Sequence, residues 1–311
     1  MAIPESQLET WSHQGSIAQS RDTYASVKRG LEAPTAAYAK QAFKVFLQGS
    51  YANDSNTYDE SDVDVVIRLD SIFYYDTSAL SPAELAAFNA ALIPGSYPYK
   101  AYKADVIAAV TDAFGAHAVT IGKRALRIQA NGARRSADVI VAADFRRYRS
   151  SGLIANTLAG VANPDYERGI CFFTTTGERI ENYPEQHSAN CTAKHQATNG
   201  WFKPMVRIFK NMRRKLVSDG VVDSKCAPSY FIEGLLYNVP NDKFGGTYAE
   251  TFAAAMAWLL AAKRVEWICA NRQHFLVRDS FATCWPCANC DLFLNSLVKL
   301  WDGYKPRIRF L

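Results

Sequence analysis

The chain has 311 residues, of which 49% are hydrophobic and 21% are charged, a composition typical of a globular protein with one large domain or two lobes. Lysine and arginine (35) outnumber aspartate and glutamate (30), and the net charge of +5 suits anionic ligands but does not by itself indicate nucleic-acid binding. No apolar run reaches the roughly 18 residues of a membrane span, and the first residues do not resemble a signal peptide, so we expect no membrane association.

Strand and helix signals alternate over the first 190 residues. Residues 16–33 are predicted to form a helix, because apolar residues recur near one face. We predict a short strand over Phe43–Leu47 that leads into a Gly49-Ser50 turn. Residues 63–69, which are apolar and rich in β-branched side chains, are predicted to form a central strand. The later elements of this region are a helix that Ser81 caps, with Pro82 and Glu84 in its first turn, a helix over 102–115, strands near 118–121, 124–130 and 136–142, and a hairpin over 169–181.

Beyond residue 190 the helical period dominates. We predict helices over 200–217, 228–237, 247–271 and 286–302. Within the first of these, one face is apolar and another carries a stripe of cations spaced four, three and four, formed by Lys203, Arg207, Lys210 and Arg214. A solvated basic face is the commoner explanation of such a stripe, whereas beside bound phosphate it would be a binding surface.

The change of composition near residue 190 predicts two lobes. Residues 1–190 are expected to form a mixed-sheet lobe and residues 191–311 a helical lobe, which together give an α+β fold. Ligands commonly bind in clefts between such lobes, so we expect the site there.

The seven cysteines show no framework of regular spacings, which favours reduced thiols in a cytoplasmic protein. Cys284, Cys287 and Cys290 form a C-x2-C-x2-C pattern, with Cys269 and His274 upstream. Zinc binding is the alternative that this pattern suggests. We favour small core residues instead, because a proline before Cys287 is predicted to begin the last helix, and three-residue steps along a helix do not make cysteines converge on one ion.

Asp62 and Asp64 follow the Gly49-Ser50 turn and open the apolar strand. Since side chains alternate faces along a strand, the two carboxylates point the same way. A lone Asp-x-Asp is usually solvent-facing, but unpaired carboxylates at the start of a buried strand would be costly, and a metal ion relieves that cost. Hard cations such as Mg²⁺ are held by carboxylates together with substrate phosphates. The pattern therefore predicts a metal and polyphosphate site of the kind used for nucleotidyl transfer.

Asp138 is the candidate for a third acid. Two-metal nucleotidyl transfer usually needs a carboxylate from a neighbouring strand, which holds one metal and can accept the proton of the attacking hydroxyl. Asp138 begins an apolar strand, as Asp62 and Asp64 do. An aspartate that caps a turn is the plain alternative, and the upstream pair of acids favours the metal role.

Gly-Ser, then Asp-x-Asp, then a separate strand aspartate is a pattern that resembles the polymerase-beta-like nucleotidyltransferases. The fuller string QGSYANDSNTYDESDVDVVIRL resembles the bacterial cGAS/DncV-like nucleotidyltransferases (CD-NTases), relatives of cyclic GMP-AMP synthase and oligoadenylate synthase. Further blocks resemble that family in the same order and extend the resemblance over nearly the whole chain: LETWSHQGS, SRDTYASVKRGL, ENYPEQH, TNGWFKPMVRIFKNMRRKL and PSYFIEGLLYNVP.

The resemblance implies a two-lobed nucleotidyltransferase fold. Residues 1–190 would be the catalytic lobe with an N-terminal spine helix, residues 191–311 would be the helical C-terminal domain, and the active site would lie in the cleft. Asp62, Asp64 and Asp138 would be catalytic and would bind two Mg²⁺, with Mn²⁺ as a possible substitute. Nucleotide-binding roles are implied for Gln48, Gly49 and Ser50, for Asn199 as a base reader, for Lys210 and Ser229 on phosphate, and for Tyr230 as the ring that stacks on the donor base.

The activity that the resemblance implies is synthesis of a cyclic di- or trinucleotide from NTPs, ATP among them, with release of pyrophosphate. The setting would be CBASS anti-phage defence, in which the product activates a separate effector, with neither a membrane nor a nucleic acid required. The alternatives are a nucleotidyltransferase that acts on RNA ends, a protein or a small molecule, a catalytically inactive scaffold, and a sensor of double-stranded DNA. Tyr230 as an ordinary core aromatic also stays open.

Overall fold

The computed structural model describes residues 2–15, 17–57, 62–149, 165–279, 281 and 283–304. The described residues form an α+β protein with a mixed sheet, which confirms the predicted fold class. The chain divides into two compact units. The sheet unit comprises Ala18–Gln48 and Ser61–Pro184, and the helical unit comprises Met1–Ile17, Gly49–Glu60 and Glu185–Leu311. The predicted boundary at residue 190 stays a prediction. No helix in the described part of the chain is long and apolar enough to span a membrane.

The sheet unit is built on seven strands in the described residues. They are β1 (Phe43–Leu47), β2 (Val63–Asp76), β3 (Val119–Ile121), β4 (Leu126–Ile128), β5 (Ala137–Tyr148), β6 (Tyr166–Phe173) and β7 (Arg179–Asn182). The strand order is β1-β2-β5-β4-β3, and β6 pairs with the second half of β5 and with β7. Strands β2 and β5 run parallel to each other, whereas the other pairs are antiparallel.

Strand β2 lies in the centre of this sheet because its side chains are buried on both faces. Val63, Val65, Val66 and Ile67 are fully buried, as expected for a strand with neighbours on each side. The predicted strand at 63–69 is confirmed, but it continues to Asp76 beyond a register shift between Leu69 and Phe73. The predicted hairpin is confirmed as β6 and β7.

The described residues contain ten α-helices. In chain order they are α1 (Glu5–Ser12), α2 (Ala18–Leu31), α3 (Gly49–Ala52), α4 (Pro82–Ala91), α5 (Tyr99–Phe114), α6 (Pro184–Ala197), α7 (Phe202–Ser218), α8 (Ser229–Asn238), α9 (Tyr248–Ala261) and α10 (Cys287–Asp302). In the sheet unit, α2 and α5 pack on the strands and on each other. The predicted start of α4 is confirmed, since Ser81 at the N-cap and Glu84 in the first turn form a reciprocal capping box and Pro82 is the first residue of the helix.

Helix α7 is the centre of the helical unit. It packs against α1, α8, α9 and α10, and its apolar face is fully buried at Met205, Ile208, Phe209 and Met212. This burial is the dominant stabilisation of an amphipathic helix. The helix therefore carries the core on one side and its cations on another.

Two helices of this unit differ from their predicted extents. Helix α9 ends at Ala261, whereas the apolar pattern predicted a helix to residue 271. The residues after it turn through a short 3₁₀ segment, Arg264–Glu266, and Ile268 then pairs as an isolated bridge with Phe275. Helix α6 was not predicted, because only His187 and Cys191 among its residues are buried and they make no apolar stripe.

Candidate active site

The pairing of β2 with β5 places the predicted acids of the sheet unit side by side. Asp64 and Asp138 are direct partners in the parallel register, so their side chains point to the same face of the sheet. Asp62 precedes β2 and shares the face of Asp64. Strand pairing begins immediately here, with Val63 N donating to Ser136 O over 3.0 Å. Buried valines and isoleucines therefore hold the three carboxylates at one end of two neighbouring strands.

The electrostatics of these acids favour a cation. Burial and the negative charge of Asp62 raise the pKa of Asp138, against the opposing effect of Arg127. The Arg127 guanidinium lies 3.3 Å from Asp62 Oδ1, and Ser136 Oγ donates to the same oxygen. Like charges held together and partly removed from water are costly unless positive charge is supplied. The donor set of three carboxylate groups, all oxygen ligands, fits a hard divalent cation.

Among the described residues, His187, Cys191 and Glu233 in the helical unit form a group of side chains that could bind a metal ion, with ligand atoms that all lie within 4.8 Å of one another. The sequence analysis did not identify this group of three residues, although Glu233, a glutamate inside the apolar run of α8, was a signal that could have indicated it.

Gln48 connects the end of β1 to the acidic strand. Its backbone N donates to Asp64 O over 3.0 Å, and its side-chain Oε1 is buried without a hydrogen-bond partner in the described residues. Gly49 follows with φ of 70°, in the left-handed region that glycine adopts without strain. What the sequence predicted as a turn is the start of the one-turn helix α3, closed by Asn53 N donating to Gly49 O over 3.1 Å.

In the helical unit, the cationic stripe of α7 contacts the residues that follow α3. Lys210 Nζ donates to Ser55 O over 2.8 Å, and Arg207 donates to Asp54 O over 2.6 Å. Lys203 Nζ forms an ion pair with Asp54 at 2.9 Å. Lys203 and Lys210 are buried, so this part of the stripe is not a solvated basic face. The predicted contact of Lys210 with a triphosphate stays a prediction.

Three other predicted residues lie elsewhere in the helical unit. Ser229 begins α8, and its Oγ accepts a hydrogen bond from Arg213 over 3.4 Å. The Tyr230 ring stacks on the His187 ring, with centroids 4.6 Å apart, and Tyr230 is 37% exposed. Asn199 lies between α6 and α7 with a positive φ of 48°.

The cysteines of the C-x2-C-x2-C pattern occupy different environments. Pro286 caps α10 as predicted, and Cys287 is its first residue. Cys290 is fully buried in the core of the helical unit, whereas Cys284 Sγ precedes the helix and donates to Phe275 O over 3.1 Å. Burial raises the pKa of Cys290 to about 12, so this thiol stays protonated at neutral pH.

Comparisons with known proteins place this chain in one enzyme class. Residues 189–302 match the family model of the cGAS/DncV-like nucleotidyltransferase C-terminal helical domain. The chain is 36% identical over 305 residues to a cyclic UMP-AMP synthase of Rhodothermus marinus, covering 98% of this chain and 99% of the relative. It is 33% identical over 309 residues to the cyclic nucleotide synthase CdnE01 of Staphylococcus haemolyticus, covering 98% and 100%.

A solved structure agrees with these relatives. The Rhodothermus marinus CdnE c-UMP-AMP synthase, solved with Apcpp and Upnpp, superposes with a TM-score of 0.86 at 35% identity and covers 99% of this chain and 100% of its own. The chain therefore belongs to the cGAS/DncV-like nucleotidyltransferases. The predicted family and enzyme class are confirmed, and the relatives are cyclic nucleotide synthases. Enzymes of this family generally depend on divalent metal ions.

Proposed function

We propose that this protein makes a cyclic di- or trinucleotide from NTPs by two-metal nucleotidyl transfer, with release of pyrophosphate. One observation carries the proposal. Asp64 and Asp138 are neighbours on one face of two parallel strands, beside Asp62, in a chain that is similar over 98% of its length to a cyclic UMP-AMP synthase. The alternative is transfer of a nucleotide to an RNA end, a protein or a small molecule.

Asp62, Asp64 and Asp138 would hold two Mg²⁺ ions, and Mn²⁺ could replace them. Such ions, when bound, stabilise the attacking and leaving oxygens of an in-line displacement. Asp138 would also accept the proton of the acceptor nucleotide's 2′- or 3′-hydroxyl. The new bond joins that oxygen to the α-phosphorus of the donor, and the bond from this phosphorus to pyrophosphate breaks. For a dinucleotide a second transfer of the same kind closes the ring, and for a trinucleotide a third transfer does so, with one pyrophosphate released at each step.

The donor nucleotide would be bound by residues that the resemblance selects. Gln48, Gly49 and Ser50 would contact the phosphates, with Lys210 and Ser229. Lys210 Nζ donates to Ser55 O, which places its charge beside the segment that follows Gly49 and Ser50. Tyr230, which is partly exposed, would stack on the donor base, and Asn199 would read a base.

ATP and UTP are the first pair of substrates to test. The relatives' names include UMP-AMP, dipurine, dipyrimidine and GMP-AMP products, so family membership alone does not define the bases. The similarity to the cyclic UMP-AMP synthase spans nearly the whole chain, which favours a mixed uridine and adenosine product. We further propose a cytoplasmic role in anti-phage signalling, in which a separate effector binds the product.

The test is incubation of the purified protein with all four radiolabelled NTPs and Mg²⁺ or Mn²⁺, followed by phosphatase, chromatography and mass spectrometry. A phosphatase-resistant product is expected from the wild type and from Asp22→Asn, which alters an exposed acid of the same unit. It should be absent from the double variant Asp62→Ala/Asp64→Ala. Linear products alone would favour transfer to another acceptor.

A further inference from the structure

Glu233 is a buried carboxylate that joins three segments of the helical unit. It lies within α8 and is 3% exposed. Its Oε2 accepts from Asn53 Nδ2 over 2.9 Å and lies 2.6 Å from His187 Nε2, while its Oε1 accepts from Ser55 Oγ. An ionised carboxylate only accepts hydrogen bonds, so the imidazole Nε2–H is the donor. Both oxygens are therefore engaged by groups from outside α8.

The network keeps Glu233 ionised. Burial alone would raise its pKa, but the hydrogen bond from His187, the electrostatic effects of His187 and Lys210, and the hydrogen bond from Ser55 lower it below the ordinary value. A buried charge of this kind is tolerated only where its partners are held in place. The partners and the carboxylate therefore depend on one another for their positions.

One side of the network holds the polar segment 53–57, which directly follows Gly49-Ser50. Its side chains at Asn53 and Ser55 are buried, although such residues normally face water. Asp54, between them, has a positive φ of 52°, in the left-handed region that aspartate adopts more readily than most non-glycine residues. Glu233 binds the side chains of Asn53 and Ser55, and the backbone carbonyls of Asp54 and Ser55 accept from Arg207 and Lys210.

The other side of the network reaches the ring proposed to stack on the donor base. His187, which bonds to Glu233, stacks on Tyr230 with an interplanar angle of 24°. The His187–Glu233 pair therefore connects the segment after Gly49-Ser50 with Tyr230. Both ends of this connection are groups that the proposed function assigns to nucleotide binding.

A metal ion is the other occupant that this cluster suggests, because His187, Cys191 and Glu233 lie close together. The contacts argue against it. Both Glu233 oxygens already accept hydrogen bonds, and burial raises the pKa of the Cys191 thiol well above its ordinary value, which disfavours the thiolate that a metal requires. The contacts are those of a hydrogen-bonded pair that fixes its neighbours.

We propose that Glu233 is a positioning residue: with His187 it fixes the segment from Gly49 to residue 57 and the Tyr230 ring, so nucleotide affinity depends on it. The inference rests on the proposed function, since Gly49, Ser50 and Tyr230 are nucleotide-binding groups only under that proposal. Glu233 touches no substrate in this role and acts through its hydrogen-bond partners.

The test separates positioning from stability. Asn53→Ala/Ser55→Ala removes two donors from the segment side, and Glu233→Gln keeps the shape but removes the charge. Leu259→Ala, in the same unit and fully buried, is a control that lowers stability through a cavity without touching the network. For each variant we would measure kcat, KM for each NTP, the equilibrium Kd of a non-hydrolysable ATP analogue with Mg²⁺, and the melting temperature.

We expect KM and Kd to rise about tenfold in Asn53→Ala/Ser55→Ala, as for the loss of one to two hydrogen bonds, with kcat within about threefold. The control should melt earlier with both constants unchanged. KM and Kd within twofold of the wild-type values in Asn53→Ala/Ser55→Ala and Glu233→Gln would overturn the inference. It would also be overturned if the wild type bound one equivalent of metal and His187→Ala did not. Failure of the wild type to make cyclic product would count against the proposed function, whereas the Kd comparison would still test this inference.

Discussion

Asp138 is the residue at which the needs of the site and of the fold most clearly oppose each other. Its charge is partly buried and lies near that of Asp62, and both effects raise its pKa. The unfolded chain then ionises more readily than the folded one, so the charged form of Asp138 lowers the free energy of unfolding at neutral pH. A cation bound by Asp138 would stabilise the charged carboxylate and so raise the free energy of unfolding. A protein can therefore keep an acidic cluster that destabilises its metal-free form.

Asp138→Asn should therefore abolish product formation and yet stabilise the metal-free protein. The expected gain in the free energy of unfolding is up to about 1 kcal/mol, measured by urea unfolding in EDTA at pH 7. This gain in the free energy of unfolding should disappear near pH 3, where the wild-type carboxyl is protonated and therefore uncharged, like the asparagine side chain. A variant less stable than the wild type at pH 7 would contradict this account of the acids.

Glu233 has the opposite pH dependence. Its folded-state pKa lies below its ordinary value of 4.5, so its contribution to stability is fully present above that pH and is lost as the pH falls through the folded pKa. Comparison of wild type with Glu233→Gln by urea unfolding should show a stability difference that is fully present at pH 6 and shrinks below about pH 4.5. A difference that grows on acidification would show that Glu233 is not held as a carboxylate.

At the scale of elements, α3 depends on one backbone conformation. Gly49 has φ of 70°, and any side chain there costs about 1 kcal/mol or more. Under the proposed function this residue also approaches the substrate phosphates, so the substitution should affect catalysis as well as stability.

Gly49→Ala should lower kcat/KM at least tenfold and the free energy of unfolding by about 1 kcal/mol. Gly177→Ala is the matched control, because Gly177 has a similar φ of 82° and an added Cβ would meet no atom within 4 Å. It should lose comparable stability in the β6–β7 turn but keep wild-type activity. Equal activity losses in both variants would mean that strain alone, and not the approach of phosphate, explains the requirement for glycine.

At the scale of the whole molecule, the parts that follow from local periodicity were predictable. Alternation along β2 placed Asp62 and Asp64 on one face, and the apolar run after Asp138 identified its strand. Helix α6 escaped prediction because a helix with two buried residues has no stripe. The engagement of Asn53 by Glu233 joins residues 180 positions apart, and nothing in either local sequence specifies that partner.

Membership of the family defines the chemistry more firmly than the bases, since similar chains bear names with different products. Measuring which nucleotides bind shows which bases the protein prefers, and it does not require the protein to make product. A ligand at 100 times its Kd adds about 2.7 kcal/mol to the free energy of unfolding, so a cognate set of nucleotides should raise the melting temperature by roughly 5 °C or more.

We expect non-hydrolysable analogues of ATP and UTP, added together with Mg²⁺, to raise the melting temperature more than analogues of GTP and CTP. The shift should vanish in EDTA, because the phosphates reach the acids through metal ions, and it should be absent from Asp62→Ala/Asp64→Ala. Differential scanning fluorimetry of the six pairs of analogues, with Asp22→Asn as the control variant, measures this directly. A shift that persists in EDTA would locate nucleotide binding away from the carboxylates, and an equal shift for every pair would place base selection in the chemical step, because binding would then not discriminate.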